Sequence, residues 1–122
     1  MDHIVLAVDD VERSLAWYQD ELGLEGVRVE EWRNGKAPFP SMRVNESTII
    51  DFLPTSGRAE KGLNLDHLCL VVEPTDLQAL KDSGRFEVVD GPAPRYGARG
   101  VGTSLYVRDP DGNTVELRHY GS

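Results

Sequence analysis

The segment Asp2-His3-Ile4-Val5-Leu6-Ala7-Val8 recurs as Asp66-His67-Leu68-Cys69-Leu70-Val71-Val72. Both copies are aliphatic and β-branched, as buried strands are. A chain that carries such a repeat folds as two related halves, and the flanking residues extend the match. After the first copy, Asp9 is the predicted N-cap of a helix, with Glu12 three residues on in the manner of a capping box. Val11, Leu15, Tyr18 and Leu22 share one face of that helix and Gly23 supplies its stop. After the second copy a shorter helix is predicted, capped by Thr75, carrying Leu77 and Leu80, and stopping at Gly84.

Each half then closes with two more strands. Ser41 to Asn45 leads to Thr48 to Leu53, and Ser104 to Arg108 leads through Asp109-Pro110-Asp111-Gly112 to Asn113 to Leu117. Asp-Pro and Asp-Gly are strong turn formers, so the last pair reads as a hairpin. A further strand is predicted in each half, over Val27 to Trp32 and Phe86 to Val89. The reading is an α+β fold of two tandem βαβββ modules: module 1 over about 1–54, a linker over about 55–63 that is rich in Ser, Gly and charge, and module 2 over about 64–122. The 122 residues are one domain's length, with no room for two independent cores.

Position within the repeat singles out four ionisable residues. His67 lies 64 positions after His3, and Glu116 lies 65 after Asp51. Strand parity puts His3 on the face of Val5 and Ala7, with Ile4, Leu6 and Val8 pointing toward a helix. Asp51 aligns with Ile49 and Leu53, His67 with Cys69 and Val71, and Glu116 with Thr114 and Arg118. Taken singly, a histidine at a strand start is more often a surface or hydrogen-bonded group than a ligand, and either carboxylate is explained as an edge-strand charge that discourages aggregation. The four at repeated positions point instead to a shared divalent cation, because unpaired carboxylates in apolar strands cost several kcal/mol each, roughly. His119 has the opposite parity to Glu116 and is read as structural or exposed.

Composition narrows the partners. Thirteen Lys and Arg against 21 Asp and Glu give a formal charge of −8, which repels phosphate backbones and argues against nucleic acid. No apolar run is long enough to span a bilayer and no basic-apolar leader opens the chain, so a cytoplasmic location is the expectation. The single cysteine, Cys69, excludes an intrachain disulfide and sits in an apolar run, where a buried inert thiol is the expectation.

The opening Asp2 to Tyr18, followed by Leu22-Gly23-Leu24, and the closing Tyr106 to Leu117 together resemble the vicinal oxygen chelate superfamily, which includes glyoxalase I, bleomycin-binding proteins, fosfomycin resistance proteins and extradiol dioxygenases. The resemblance spans essentially the whole chain. It implies paired βαβββ modules forming a cupped mixed sheet around a central cavity, and it puts His3, Asp51, His67 and Glu116 at the family's metal-ligand positions. Asp51 departs from the glutamate usual in glyoxalase I and reaches about one methylene less, which makes it the adjustable ligand. A homodimer is implied by the same analogy.

Mixed imidazole and carboxylate ligation suits Zn, Ni, Co, Mn or Fe(II). With such a metal as Lewis acid, the chain reads as a glyoxalase-type lyase or isomerase acting on a chelating small-molecule substrate, with Glu116 doubling as general base. Ligation by His3, His67 and Glu116 alone gives instead the facial triad of a non-haem iron extradiol dioxygenase, with Tyr106 as the acid-base residue. A fosfomycin-type thiol transferase matches Ser104 and Tyr106 as substrate contacts, but Arg95, Tyr96 and Arg99 stand where that family has a lysine. A metal-free, drug-sequestering protein of the bleomycin-resistance type is the alternative from another class; Trp17 and Trp32 would be its pocket candidates, although core or surface packing is the commoner role for both. Arg95, Arg99 and Arg118 are the anion contacts expected, and the segment Gly91 to Gly102 is the expected lid or specificity loop, with a mobile hairpin connection as the alternative.

Overall fold

The computed structural model describes residues 1–55, 65–110 and 112–121. The strands are β1 (His3–Val8), β2 (Glu25–Val27), β3 (Ser41–Asn45), β4 (Thr48–Pro54), β5 (Leu65–Val71), β6 (Glu87–Gly97), β7 (Gly100–Arg108) and β8 (Thr114–His119). The helices are α1 (Val11–Leu22), α2 (Val29–Arg33) and α3 (Leu77–Asp82). All eight strands join one mixed sheet in the order β2-β3-β4-β1-β5-β8-β7-β6. From the middle outward the two halves match strand for strand. β1 and β5 pair antiparallel at the centre, and each is flanked by a parallel neighbour, β4 or β8.

The repeat explains this layout. Each copy of the aliphatic segment becomes a central strand, and each helix carries the chain over one face to reach the outer strands. Leu15 and Val11 of α1 pack with Met42 and Phe52, joined by Leu6, Val8 and Ile50. Leu77 of α3 packs with Leu105 and Val107, joined by Val115 and Leu117. Among the described residues the helix-side core thus forms one cluster under each half's helix. The opposite face of the four central strands is left for His3, Asp51, His67 and Glu116.

Several local expectations are corrected. Asp10, not Asp9, caps α1, accepting from the Arg13 amide at 3.0 Å. Asp9 instead accepts from the Thr55 hydroxyl at 2.7 Å. Asp76, not Thr75, caps α3 through the Ala79 amide. The strand expected over Val27 to Trp32 ends at Val27, and Val29–Arg33 form α2. Helical spacing wins there because Arg33 bonds Glu30 at 2.6 Å and Glu12 of α1 at 2.9 Å while Trp32 packs on the first cluster.

Of the two readings for Gly91 to Gly102, a lid and a hairpin connection, the structure has the second: a β6–β7 hairpin turning between Gly97 and Gly100. β6 carries Pro92 and Pro94 because it is the edge of the sheet, where a missing N–H is tolerated. The linker expected over 55–63 lies, apart from Thr55, outside the described residues, as does Asp111 in the last hairpin turn. Among the described residues no helix is long and apolar enough to cross a membrane.

Candidate metal centre

Register along the central strands brings the four residues together. Val5 faces both Asp51 on β4 and His67 on β5, while Cys69 faces both His3 on β1 and Glu116 on β8. The four therefore lie one step apart across adjacent strands, on the face away from the helices. His3 and His67 both direct Nε2 at the same Glu116 oxygen, Oε1, at 3.1 and 3.0 Å. These three form a group whose ligand atoms lie within 4.8 Å of one another. Asp51 stands just outside it, with Oδ2 3.9 Å from His3 Nε2.

The outer contacts decide what this convergence means. His3 Nδ1 lies 2.6 Å from Asp2 Oδ2, and His67 Nδ1 lies 2.8 Å from Asp66 Oδ2. A ring nitrogen facing a carboxylate carries the proton, so in each neutral imidazole Nε2 is a bare lone pair. Two such lone pairs and a carboxylate oxygen then meet at one point. Only two extra protons or a cation can join them, and the protons would create two imidazolium rings with centroids 5.5 Å apart. The three atoms are close enough together to share one cation. The donor set thus fits a divalent metal held by His3, His67 and Glu116.

In the protonated form the electrostatics are strongly coupled. Burial opposes a charged His3, but hydrogen bonds to Asp2, Cys69 and Glu116 outweigh it and push the imidazole up to about 12. His67 is raised too, against its burial, by Asp66 and Glu116. Burial would raise Glu116, yet the two histidines and Ser104 hold its carboxyl far below the usual carboxylate range. Asp51 is raised, because burial outweighs the nearby His3 and the Ser41 hydroxyl.

Glu116 is pinned on both oxygens. Ser104 Oγ donates to Oε2 at 2.7 Å and Arg118 Nη1 at 2.9 Å. Arg118 is fully buried, and its Nη2 donates to the carbonyls of Arg95 at 2.8 Å and Gly100 at 3.3 Å. The sequence made Ser104 and Arg118 substrate contacts; the structure places both behind Glu116 as its supports. Gly102 and Gly97 make the slot for the guanidinium, since a Cβ at either would come within 2.8 Å of Arg118. Gly91 serves Ser104 similarly, with a Cβ position 2.5 Å from the Ser104 carbonyl. Asp51 is held more lightly: Ser41, its cross-strand partner, donates to Oδ1 at 2.5 Å. Glu116 has Tyr106 as its cross-strand partner, so Tyr106 is the counterpart of Ser41, which the sequence had matched with Ser104.

A cavity of about 250 Å³ opens over the cluster, walled by Arg28, Phe39, Arg95, Tyr96 and Tyr106. Burial and the nearby Glu116 raise the Tyr106 phenol, which therefore stays protonated. Arg99 is not on this wall; it is exposed and lies over the Tyr120 ring. Trp17 is 52% exposed and Trp32 packs under α1, so neither lines the cavity. Cys69 is buried beneath His3, and burial pushes its thiol up to about 11. His119 is buried with Nδ1 2.8 Å from the Gly121 carbonyl, a structural role. Asp2, Asp66, Ser41 and Arg28 were missed by the sequence reading. The first two had a signal, since Asp precedes His in both copies of the repeat.

Residues 1–117 match the family model described as the Glyoxalase/Bleomycin resistance protein/Dioxygenase superfamily. Virulence protein STM3117 of Salmonella typhimurium is 30% identical, over 98% of this chain and 83% of that protein. A probable lactoylglutathione lyase of Synechocystis is 27% identical, over 94% of this chain and 91% of that one. Among solved structures, methylmalonyl-CoA epimerase from Mycobacterium tuberculosis shares the fold at a TM-score of 0.67 with 20% identity, covering 99% of this chain and 87% of its own.

Proposed function

Since the chain belongs to the Glyoxalase/Bleomycin resistance protein/Dioxygenase superfamily, we propose that it is a divalent-metal-dependent enzyme of glyoxalase type, a lyase or isomerase acting on a small oxygen-chelating substrate. The observation that carries this is the meeting of His3 Nε2, His67 Nε2 and Glu116 Oε1, with both Nδ1 atoms committed to Asp2 and Asp66. His3, His67 and Glu116 hold the metal, which when bound supplies Lewis-acid stabilisation of negative charge developing on a substrate oxygen. The 27% identical probable lactoylglutathione lyase supports the same class.

The protein's own groups divide the remaining work. Glu116, the base expected from sequence, gives Oε1 to the metal and takes hydrogen bonds from Ser104 and Arg118 on Oε2, and that grip weakens it as a base. Asp51 is the better proton acceptor, because Ser41 fixes Oδ1 and leaves Oδ2 in the cavity-lining position. Tyr106, protonated and on the same wall, donates to the leaving or rearranging oxygen. Phe39, Leu53 and Tyr96 exclude water from the substrate's body. By family analogy the chain acts as a homodimer.

The experiment is proton exchange into solvent deuterium by hydroxy-carbonyl substrates, with wild type and Asp51→Asn. Wild type with metal exchanges, and Asp51→Asn keeps its metal but loses about 10²-fold or more in rate. Equal rates for the two would remove Asp51 from the chemistry. A second reading, an iron dioxygenase, is favoured by the two-histidine, one-carboxylate composition of the cluster. Oxygen uptake with catechols by the Fe(II)-loaded protein would select it over the lyase.

A further inference from the structure

Arg28 is near enough to Asp51 for its charge to favour that carboxylate, but no hydrogen bond of the fold or of the metal centre accounts for its guanidinium. It precedes α2 with φ 57, the one non-glycine residue among those described in the left-handed region. Its guanidinium carbon sits 3.7 Å from the Tyr96 ring centroid and 4.7 Å from that of Phe39. Held between these rings, it lines the same cavity as His3, His67 and Glu116. Yet its Nε and Nη2 are buried without a hydrogen-bond partner. Arg118 Nε is the other orphan nitrogen among the described residues, but the rest of the Arg118 guanidinium is satisfied. Buried donors left unpaired are rare and disfavoured unless a ligand completes them.

The two orphan atoms are not a random pair. Nε–H and the Nη2–H beside it form one edge of the guanidinium plane, with parallel bonds spaced to match the two oxygens of a carboxylate. Aromatic rings beside the plane fix its orientation and keep water from it. We propose that Arg28 is the carboxylate clamp of the cavity, and that the substrate is a small organic acid with an apolar body. One end, a carboxylate, pairs with Arg28; a second oxygen function reaches the metal centre, a clause that rests on the proposed function above. Phosphate oxygens also pair with such an edge, so the apolar Phe39 and Tyr96 walls beside it are what favour an organic carboxylate, and inorganic phosphate is the competitor to be tested.

Benzoate and its neutral isostere benzamide isolate the clamp from the metal. Calorimetric titrations with both, and with inorganic phosphate, would compare chelator-treated and zinc-loaded wild type with Arg28→Gln and Arg28→Lys. Benzoate binds wild type at least about tenfold tighter than benzamide in both metal states, and Arg28→Gln reduces that preference to about threefold or less. Arg28→Lys keeps the charge without the paired edge; it loses about fivefold or more of the benzoate affinity and covers the case of a glutamine variant that does not fold. Wild type that binds neither compound or both equally, a preference that survives in Arg28→Gln, or phosphate binding tighter than benzoate would each overturn the clamp. A preference present in protein that takes up no zinc would leave the clamp standing while removing the metal enzyme.

Discussion

Replacing Asp66 by Asn removes the anion that orients His67 while leaving the ring and its neighbours in place. Metal affinity should fall about 10- to 100-fold, with the metal-free melting temperature little changed, because Asp66 is exposed. Asp2→Asn should weaken metal binding similarly but also destabilise the fold by about 2 kcal/mol, since buried Asp2 accepts from Tyr120 and the Ala98 amide as well. Competitive chelator titration and thermal melts of both variants check the pair. A common effect on stability would mean that Asp66 acts on the fold rather than on His67.

At the scale of elements, the repeated central strands and the parity of their ligands were legible because aliphatic period-two segments declare themselves locally. His3, Asp51, His67 and Glu116 emerged from that pattern and converge on one face. The roles of Ser104 and Arg118 were not legible, because strand parity gives the face of a side chain but not whether another residue already occupies its donors. The hairpin connection between β6 and β7 was among the readings, but the extension of β6 through Pro92 and Pro94 to Gly97 was not legible, since prolines are tolerated in a strand only at an edge that the sequence does not label. Gly102 shows how closely the outer strands serve the centre. Gly102→Ala would press a Cβ onto Arg118 Nη2 and the His119 carbonyl, each 2.8 Å away. It should cost about 1–3 kcal/mol and loosen metal binding together, whereas Leu15→Ala should cost about 2–5 kcal/mol in stability with metal affinity unchanged. Denaturant melts alongside metal titrations would separate these two outcomes.

For the whole molecule, the cluster ties folding to both protons and metal. In the metal-free protein His3 is raised from 6.5 to about 12, so its contribution is full below about pH 6.5 and fades as pH rises toward 12. Glu116 is lowered from 4.5, so its contribution is present above that value and fades in acid. Metal-free protein should therefore lose stability from the cluster as pH rises above 6.5. Metal displaces those protons, so the stabilisation it adds should grow over the same range. Melting curves with and without metal between pH 6 and 9, a range set by these shifts, would show the two diverging. Parallel curves would mean that metal and protons do not compete for the histidines.

The central claim is that His3, His67 and Glu116 form one metal centre, and the most direct measurement is metal content per chain after loading and desalting. Wild type should retain one equivalent of a divalent transition metal, and His3→Ala, His67→Ala and Glu116→Ala, each still folded, should retain almost none. A wild type that retains no metal, or variants that keep it, would contradict the account.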